Sequence, residues 1–561
     1  MNTHSFPKLV PAILAGIWLS STLSAQQFHK IGLDEYRDKM MAGWIGQMAG
    51  VGQGGPTEFR WQEAIIPANE VPPWKPEMIN QFHQDDIYVE MTFLRTLELY
   101  GLDVSIRQAG IDFANSEYPL WHANLHGREN LRSGIAPPDS GHPKFNSHAD
   151  DIDYQIEADF SGLVAPGMPN IAIELGETFG RLMNYGDGLY GGQFVGGMYA
   201  AAFFENDIET IVRAGLTCIP QQSQYAECIR DVLKWYHQAP DDWQATWNKI
   251  EAKYQKNPDY RRFSCDKGKF NIDAKINGAY IVMGLLYGKG DLDQTIVIST
   301  RCGQDSDCNP SNAAGVLFTT IGYQDLPDHY KSALNPEGKF SHTPYNFPTL
   351  VEVCEKLARQ AVVRAGGRIE TQADGKEVML IPQQTPEPTA FEQCWEPGPA
   401  ANSRFTEEEM AQITTWSKAR KMEEFLKHQA PGWTLSQCGP DMDAPAILDE
   451  WNGREDVLLI HPLDRQTPCI LTSRIEIPQN QPLTLHLAVS HHPSGDYDLI
   501  LRADDELLLR QTVGATTAKD GWLDIHQDLS AYAGKEIQLQ IVNQPTGWAF
   551  EGAYIGAIHL H

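Results

Sequence analysis

Two acidic clusters, Gln84-Asp85-Asp86 and Asp305-Ser306-Asp307, lie about 220 residues apart, and each stands directly before an apolar run of helical period. One carboxylate at a helix start is favoured by the positive end of the helix dipole. A second beside it adds repulsion, which a multivalent cation relieves. Asp85, Asp86, Asp305 and Asp307 make an all-oxygen donor set that suits a hard ion, Mg2+, Ca2+ or Mn2+, better than zinc. Gln84 can add an amide oxygen to the set. Glu58, near the end of the Gly-rich stretch GVGQGGPTEF, is a candidate general acid/base or water-positioning group. Such a constellation suits a metal-dependent hydrolase, with a structural salt bridge as the alternative role for Glu58. Helix capping is the bland alternative. It accounts for one Asp per helix and leaves the second unexplained.

A glycosidase working with paired carboxylates needs a partner for Glu58. The acidic segment NSHADDIDYQIEADFSGLVAPG supplies Glu157 and Asp159 as candidates for that partner, and Asp151 and Asp153 as candidate substrate contacts. A solvated acidic loop with a helix cap explains the same residues without chemistry. Gly191 and Gly192, within YGDGLYGGQFVGG, fit a loop approaching a ligand closely, or equally a tight helix contact. Trp61, Trp74 and Trp121 offer faces for a sugar or base, or fill core and rim positions.

These groups need a scaffold, and 561 residues exceed one ordinary core, so two or three domains are expected. With 42% hydrophobic and 10% aromatic residues the chain is globular. A formal charge of −29 argues against a general nucleic-acid surface. It remains compatible with a small-molecule or glycan substrate. Residues 1–25, with Lys8 followed by LVPAILAGIWLSSTLSA, read as a cleaved signal peptide of a secreted or periplasmic protein. No later segment reads as a membrane span. Nine cysteines form no disulfide framework, and no CxxC pair or run of histidines points to zinc. Cys302 and Cys308 flank the second acidic cluster, and an oxidising compartment would permit them to bond.

Residues 34–335 are expected to be all-α, with helices over Ile87–Tyr100, Asn170–Tyr185, Glu205–Leu216, Gln224–His237 and Ser311–Ile321, joined by Gly-rich loops at Gly50–Phe59 and Tyr185–Gly197. Residues 336–439 read as a connector, with a Pro-rich run at Pro382–Ser403 and a charged helix near Thr406–His428. Residues 440–561 alternate apolar and polar over Leu483–Val489, Asp498–Asp504, Trp522–Leu529 and Ile537–Val542, the pattern of an all-β jelly-roll sandwich. This module resembles the galactose-binding-like sandwiches appended to secreted glycosidases; a structural accessory role fits as well.

Three motifs in order, AGWIGQMAGVGQGGPTEF (Ala42–Phe59), QDDIYVEMTFLRTLELYG (Gln84–Gly101) and GQDSDCNPSNAAGVL (Gly303–Leu317), make Tyr36–Tyr323 resemble the ADP-ribosylglycohydrolase family. The resemblance implies an all-α fold with a central cleft for a pair of divalent ions, normally Mg2+. By position it makes Asp85, Asp86, Asp305 and Asp307 the metal carboxylates and places Glu58 near the scissile bond. Gln84 stands where the family commonly has Thr, and Cys308 replaces a Thr that often completes the metal shell. The expected activity is hydrolysis of an N- or O-glycosidic bond in an ADP-ribosyl compound or, given export, in a carbohydrate or nucleoside glycoside. The competing expectation is a non-catalytic secreted carbohydrate-binding protein on the same fold.

Overall fold

The structure, a computed structural model, describes residues 1, 27–415, 422, 425–427, 429–439, 441–547 and 550–561. The expected signal peptide, and much of the charged helix expected near Thr406–His428, lie outside the described residues.

A helical domain comes first, followed by antiparallel β-structure from residue 368 onward. Its centre is occupied by helices whose sequence is apolar or small on every side, because only such a helix can be enclosed all round. Ala274–Gly288 is buried at every residue, and Asp187–Ala202 at all but one. The two motif-bearing helices, Leu33–Gly54 and Cys308–Ile321, lie against each other. Gly46, Gly50 and Gly54 recur every fourth residue and so share one face. A Cβ at these positions would fall on the backbone of Ala314, Ser311 and Ser306 respectively. Replacing Gly50 by Ala is therefore expected to destabilise the protein by about 1–3 kcal/mol, the usual result of overpacking. Thermal denaturation reads this directly, and an unchanged Tm would show that the two helices can part.

Both expected Gly-rich loops are thus largely helical. The first helix runs through Gly54, and Tyr185–Gly197 is mostly the helix Asp187–Ala202. Gly191 and Gly192 pack there on Gln155 and on the ring of Tyr154, leaving no room for a Cβ. Their expected role in substrate contact gives way to helix packing.

The expected connector also resolves differently. Helix Phe347–Arg364 is capped by Asn346, whose side chain accepts from Thr349 N at 3.1 Å, and buries Leu350, Cys354, Leu357 and Ala361 in the helical core. A hairpin, Arg368–Thr371 and Glu377–Pro382, follows, and its second strand pairs antiparallel with Phe28–Gly32 at the start of the domain. The Pro-rich run then crosses the helical surface. Tyr190 Oη donates to Ala390 O at 2.9 Å, and Asp139 accepts from the backbone N–H of Ala401 and Ser403, each at 2.8 Å.

The β-region holds two five-stranded antiparallel sheets. In spatial order the first runs Glu506–Val513, Tyr497–Ala503, Glu536–Pro545, Cys469–Glu476, Trp433–Ser436, so pairing begins before residue 440. The second runs Leu523–Asp528, Thr484–His491, Ala553–Leu560, Arg454–Ile460, Ala446–Trp451. Period-two alternation sends Leu471, Leu501 and Leu539 of one sheet and Leu485, Leu487 and Ile555 of the other into a shared core.

Candidate active site

Two turns clamp the acidic residues together. Gly303 and Gln304 are left-handed, with φ of 83° and 55°, and so is Phe59, with φ of 50°. Phe59 N donates to Gln304 O at 3.0 Å, and Gln304 N to Trp61 O at 3.0 Å. A side chain at Gly303 would meet the carbonyl oxygens of Trp61 and Ala64 at 2.7 and 2.8 Å, so the close approach needs glycine. Thr57 Oγ1 and Ser306 Oγ, 2.8 Å apart, tie the same two segments through side chains. The Gln304 amide extends the tie to a third segment, accepting from Asn271 N at 3.0 Å and donating to Lys269 O at 2.8 Å.

This clamp brings together residues far apart in the chain. Carboxylate oxygens of Glu58, Asp305 and Asp307 lie within 4.8 Å of one another, as do ligand atoms of Asp86, Asp307 and Cys308. Asp85 and Asp86 open helix Asp85–Tyr100, with Gln84 as its extended N-cap. The Gln84 amide and Asp307 Oδ2 approach the same point beside Gly55. Asp86, Asp305 and Asp307 are buried, Asp85 is half-buried, and Glu58 is exposed at the rim.

Electrostatics make the cluster unfavourable as a set of bare anions. Burial, then the charge of Asp307 and Asp85, raises Glu58 to about 8. Burial raises Asp305 to about 8, with Glu58 and Asp86 adding to it. Asp86 and Asp307 are pushed well up, chiefly by burial. The charge of Asp305 adds to the rise at Asp307. Asp86 Oδ1 is buried and has no hydrogen-bond partner among the described residues. An orphaned oxygen beside crowded carboxyls fits a hard divalent cation. Cys308 does not spoil the fit, because its thiol acts as a donor, to Asp86 Oδ2 at 3.3 Å. Cys302 and Cys308 are both free thiols.

The other expected site residues take different places. Asp159 is fully buried, bonded to the Tyr199 hydroxyl and, at 2.6 Å, to Asn312 Nδ2. A carboxyl so sealed reaches no substrate, and its expected acid/base role is replaced by bracing helix Cys308–Ile321. Glu157 is also fully buried, accepts from Asn124 Nδ2 and keeps Oε2 unpartnered. It feels the charge of Asp85 and Asp86 but has no open face, so it too is no partner for Glu58. Asp153 accepts from Ala123 N at 3.2 Å and Asn124 N at 2.8 Å, at the start of helix His122–Arg132. Its expected contact with substrate is corrected to a helix cap. Asp151 is buried and faces His148 and His122 instead of the cleft mouth.

Several contributors were invisible in sequence. Phe270 stacks on His122 at 5.6 Å and meets Phe59 at 5.2 Å, forming an aromatic wall next to Glu58. Trp121, already a candidate face from the sequence, is exposed directly before His122 at the same helix start. Glu90, buried one turn beyond Asp86, accepts from Phe160 N at 2.9 Å and from Gln47 Nε2, linking three segments beneath the site. Burial, with neighbouring histidines adding to it, lowers His122 to about 4 and His148 to about 3.

An all-α domain that gathers Asp86, Asp305 and Asp307 with a rim glutamate, Asp85 standing next to them, defines a class of protein built to place a cation beside an acid/base group. The chain belongs to the ADP-ribosylglycohydrolase family, whose model, so described, matches residues 33–367. That membership points to hydrolysis of glycosyl bonds. Among solved structures, one described as an ADP-ribosylglycohydrolase-related protein complex is 12% identical, with 58% of this chain and 99% of that chain covered at a TM-score of 0.38. An apo-form cyclase from Fischerella sp. is also 12% identical, with 24% and 83% covered at a TM-score of 0.19. No curated protein matches the chain. No helix among the described residues is long and apolar enough to cross a membrane.

Proposed function

We propose that the chain is an exported, divalent-cation-dependent glycosyl hydrolase in which Glu58 is the general acid/base. The observation that carries this reading is the position of Glu58, solvent-exposed while its carboxylate oxygen lies within 4.8 Å of those of Asp305 and Asp307. Exposed at the rim of the cluster, Glu58 is placed to hold a proton for the leaving group. It gives that proton to the leaving-group atom as the glycosidic bond breaks, then takes one from the attacking water. Asp85, Asp86, Asp305, Asp307 and the Gln84 amide would hold the cation, Mg2+ first among candidates. Bound there, the cation supplies positive charge that offsets the carboxylates and orients sugar hydroxyls. The wall of Phe59, Phe270 and His122 gives a sugar or base a face to lie on.

The substrate class follows from charge. A diphosphate needs arginine, lysine or a backbone nest. Of the two nearest arginines, Arg301 is turned away, its Nε donating to Ile66 O at 2.9 Å and its guanidinium 5.2 Å over Trp243, which leaves the exposed Arg60 alone near Glu58. This favours a neutral carbohydrate or nucleoside glycoside over an ADP-ribosyl compound, as does the proposed export. The test is a panel of aryl glycosides, nucleosides, ADP-ribosyl-arginine and ADP-ribosyl-serine, each with Mg2+ or with chelator. Release of free sugar from neutral glycosides, lost on chelation and restored by Mg2+ or Mn2+, is expected. Turnover confined to ADP-ribosyl compounds would overturn the substrate class, and chelator-insensitive turnover the cation. Glycan retention without turnover of any substrate would favour a binding protein.

A further inference from the structure

A second cluster of ligating side chains lies on the far side of the aromatic wall. His122 comes from the start of helix His122–Arg132, His148 and Asp151 from the following loop, and Cys265 from a segment over a hundred positions later. One ligand atom of each lies within 4.8 Å of all the others. Asp151 is the hub. Its Oδ2 is 2.6 Å from His148 Nδ1 and 3.5 Å from His122 Nδ1, and the Cys265 thiol lies within 4.8 Å of the same carboxyl. Asp151 is 0% exposed, yet its Oδ1 has no hydrogen-bond partner among the described residues. Leaving a buried carboxylate oxygen unpartnered costs about 1–3 kcal/mol, so the arrangement asks for a ligand.

The neighbouring carboxylates show what a completed site looks like here. Asp150, Asp187 and Asp273 surround the buried Lys275, with Nζ–O distances of 3.7, 3.9 and 3.3 Å. Lys275 thus serves as their counter-ion. No Lys or Arg among the described residues pairs with Asp151. Its polar neighbours are two imidazoles and a thiol, which are metal ligands, together with the carboxyls of Asp150 and Asp273, which add negative charge beside it. The backbone is already fixed for the purpose, with Asp151 N donating to His148 O at 2.9 Å and Ile152 N to Ile272 O at 3.0 Å.

We propose that His122, His148, Asp151 and Cys265 form a second metal site, for a borderline ion of the zinc type, distinct from the all-oxygen cluster around Glu58. Two nitrogens, one sulfur and one carboxylate oxygen are the donors such an ion takes, and hard Mg2+ avoids sulfur. Bonds of about 2.0–2.3 Å in a tetrahedron place ligand atoms roughly 3.3–3.8 Å apart, so the present spacing closes by small side-chain movements. A thiolate and a carboxylate also neutralise a divalent charge. Four protein ligands leave no open position, which marks a structural site. Its effect is to cross-link three segments and hold His122 against Phe270, and through it Phe59 beside Glu58.

The test uses the full chain, stripped with chelator and titrated with Zn2+ in the presence of excess Mg2+. One equivalent of tightly bound Zn2+ is expected, and Co2+ in its place should give tetrahedral d–d bands with a thiolate charge-transfer band. Cys265→Ser should abolish the charge-transfer band, and His148→Ala should weaken Zn2+ binding about a hundredfold. Cys308→Ser and Asp307→Asn should leave both readouts intact, which separates this site from the acidic cluster. No Zn2+ retained against Mg2+ by the unaltered protein would overturn the proposal without recourse to any variant. So would a charge-transfer band that survives Cys265→Ser or vanishes with Cys308→Ser.

Discussion

Glu58→Gln is expected to lower kcat for glycoside hydrolysis by about 10²–10⁴-fold, the usual span for loss of a positioned acid/base group. KM and divalent-cation affinity should stay within a few-fold. The reasoning is local. Glutamine keeps the size and one oxygen of the side chain, and the clamp that positions residue 58 runs through the backbone of Phe59 and Gln304. What disappears is the exchangeable proton. A leaving group that needs protonation should suffer most, so the loss should shrink on aryl glycosides with acidic phenols. Unaltered kcat on both kinds of substrate would remove Glu58 from the mechanism. Loss of cation binding in the same variant would instead make it a ligand.

Asp307→Asn acts on the other half of the site and should weaken Mg2+ or Mn2+ binding at least about a hundredfold, measured by calorimetry. Asp307 is the residue shared by both acidic groupings, with Glu58 and Asp305 on one side and Asp86 and Cys308 on the other. The same change should stabilise the cation-free protein. The folded-state values of Asp305 and Glu58, about 8, exceed the ordinary carboxylate values of 3.8 and 4.5. Between those limits the folded chain holds more protons than the unfolded one, so stability falls as pH rises. Without a cation, the Tm of the original protein should therefore drop relative to Asp307→Asn from about pH 4 to pH 8. Mg2+ should close the gap. Comparing the two proteins at each pH matters, because His122 and His148, lowered to about 4 and 3, act with the opposite sign below about pH 6.5. A gap that is flat with pH, or that Mg2+ leaves untouched, would refute the reading of the cluster as a cation site.

How much of this was legible in the sequence depended on the kind of signal. The all-α and all-β regions followed from hydrophobic period alone, and the order of three motifs pointed to Glu58, Asp85, Asp86, Asp305 and Asp307, which the structure brings together. Glycine misled, because it signals two opposite things. In GVGQGGPTEF most of the glycines serve helix contact, and the turn begins only after Gly54. Helix Phe347–Arg364 was hidden by reading its surroundings as linker, although Asn346 and a proline in its first turn mark its start. Acidic residues of Asn146–Gly167 were read as one group, whereas a short helical path sends Asp151 to His148, Asp153 and Glu157 to Asn124, and Asp159 to Asn312. His122, His148 and Cys265 showed no metal spacing at all, since their proximity is created by tertiary contact across the chain. The Cys308 thiol could be read as a poor hard-ion ligand, but not as a hydrogen-bond donor to Asp86.

The pairing of Phe28–Gly32 with Glu377–Pro382 makes the helical domain a closed ring in sequence, its first strand held by its last. Such closure is reached late. A chain emerging from the ribosome carries an unpaired N-terminal strand through more than three hundred residues of synthesis, and loop-closure entropy delays long-range pairing even after release. Until residue 382 arrives, the unpaired strand and the unfilled place of helix Phe347–Arg364 leave apolar surface uncovered. The domain consequently becomes complete near the end of its own synthesis, a timing that keeps the chain threadable for as long as export would require.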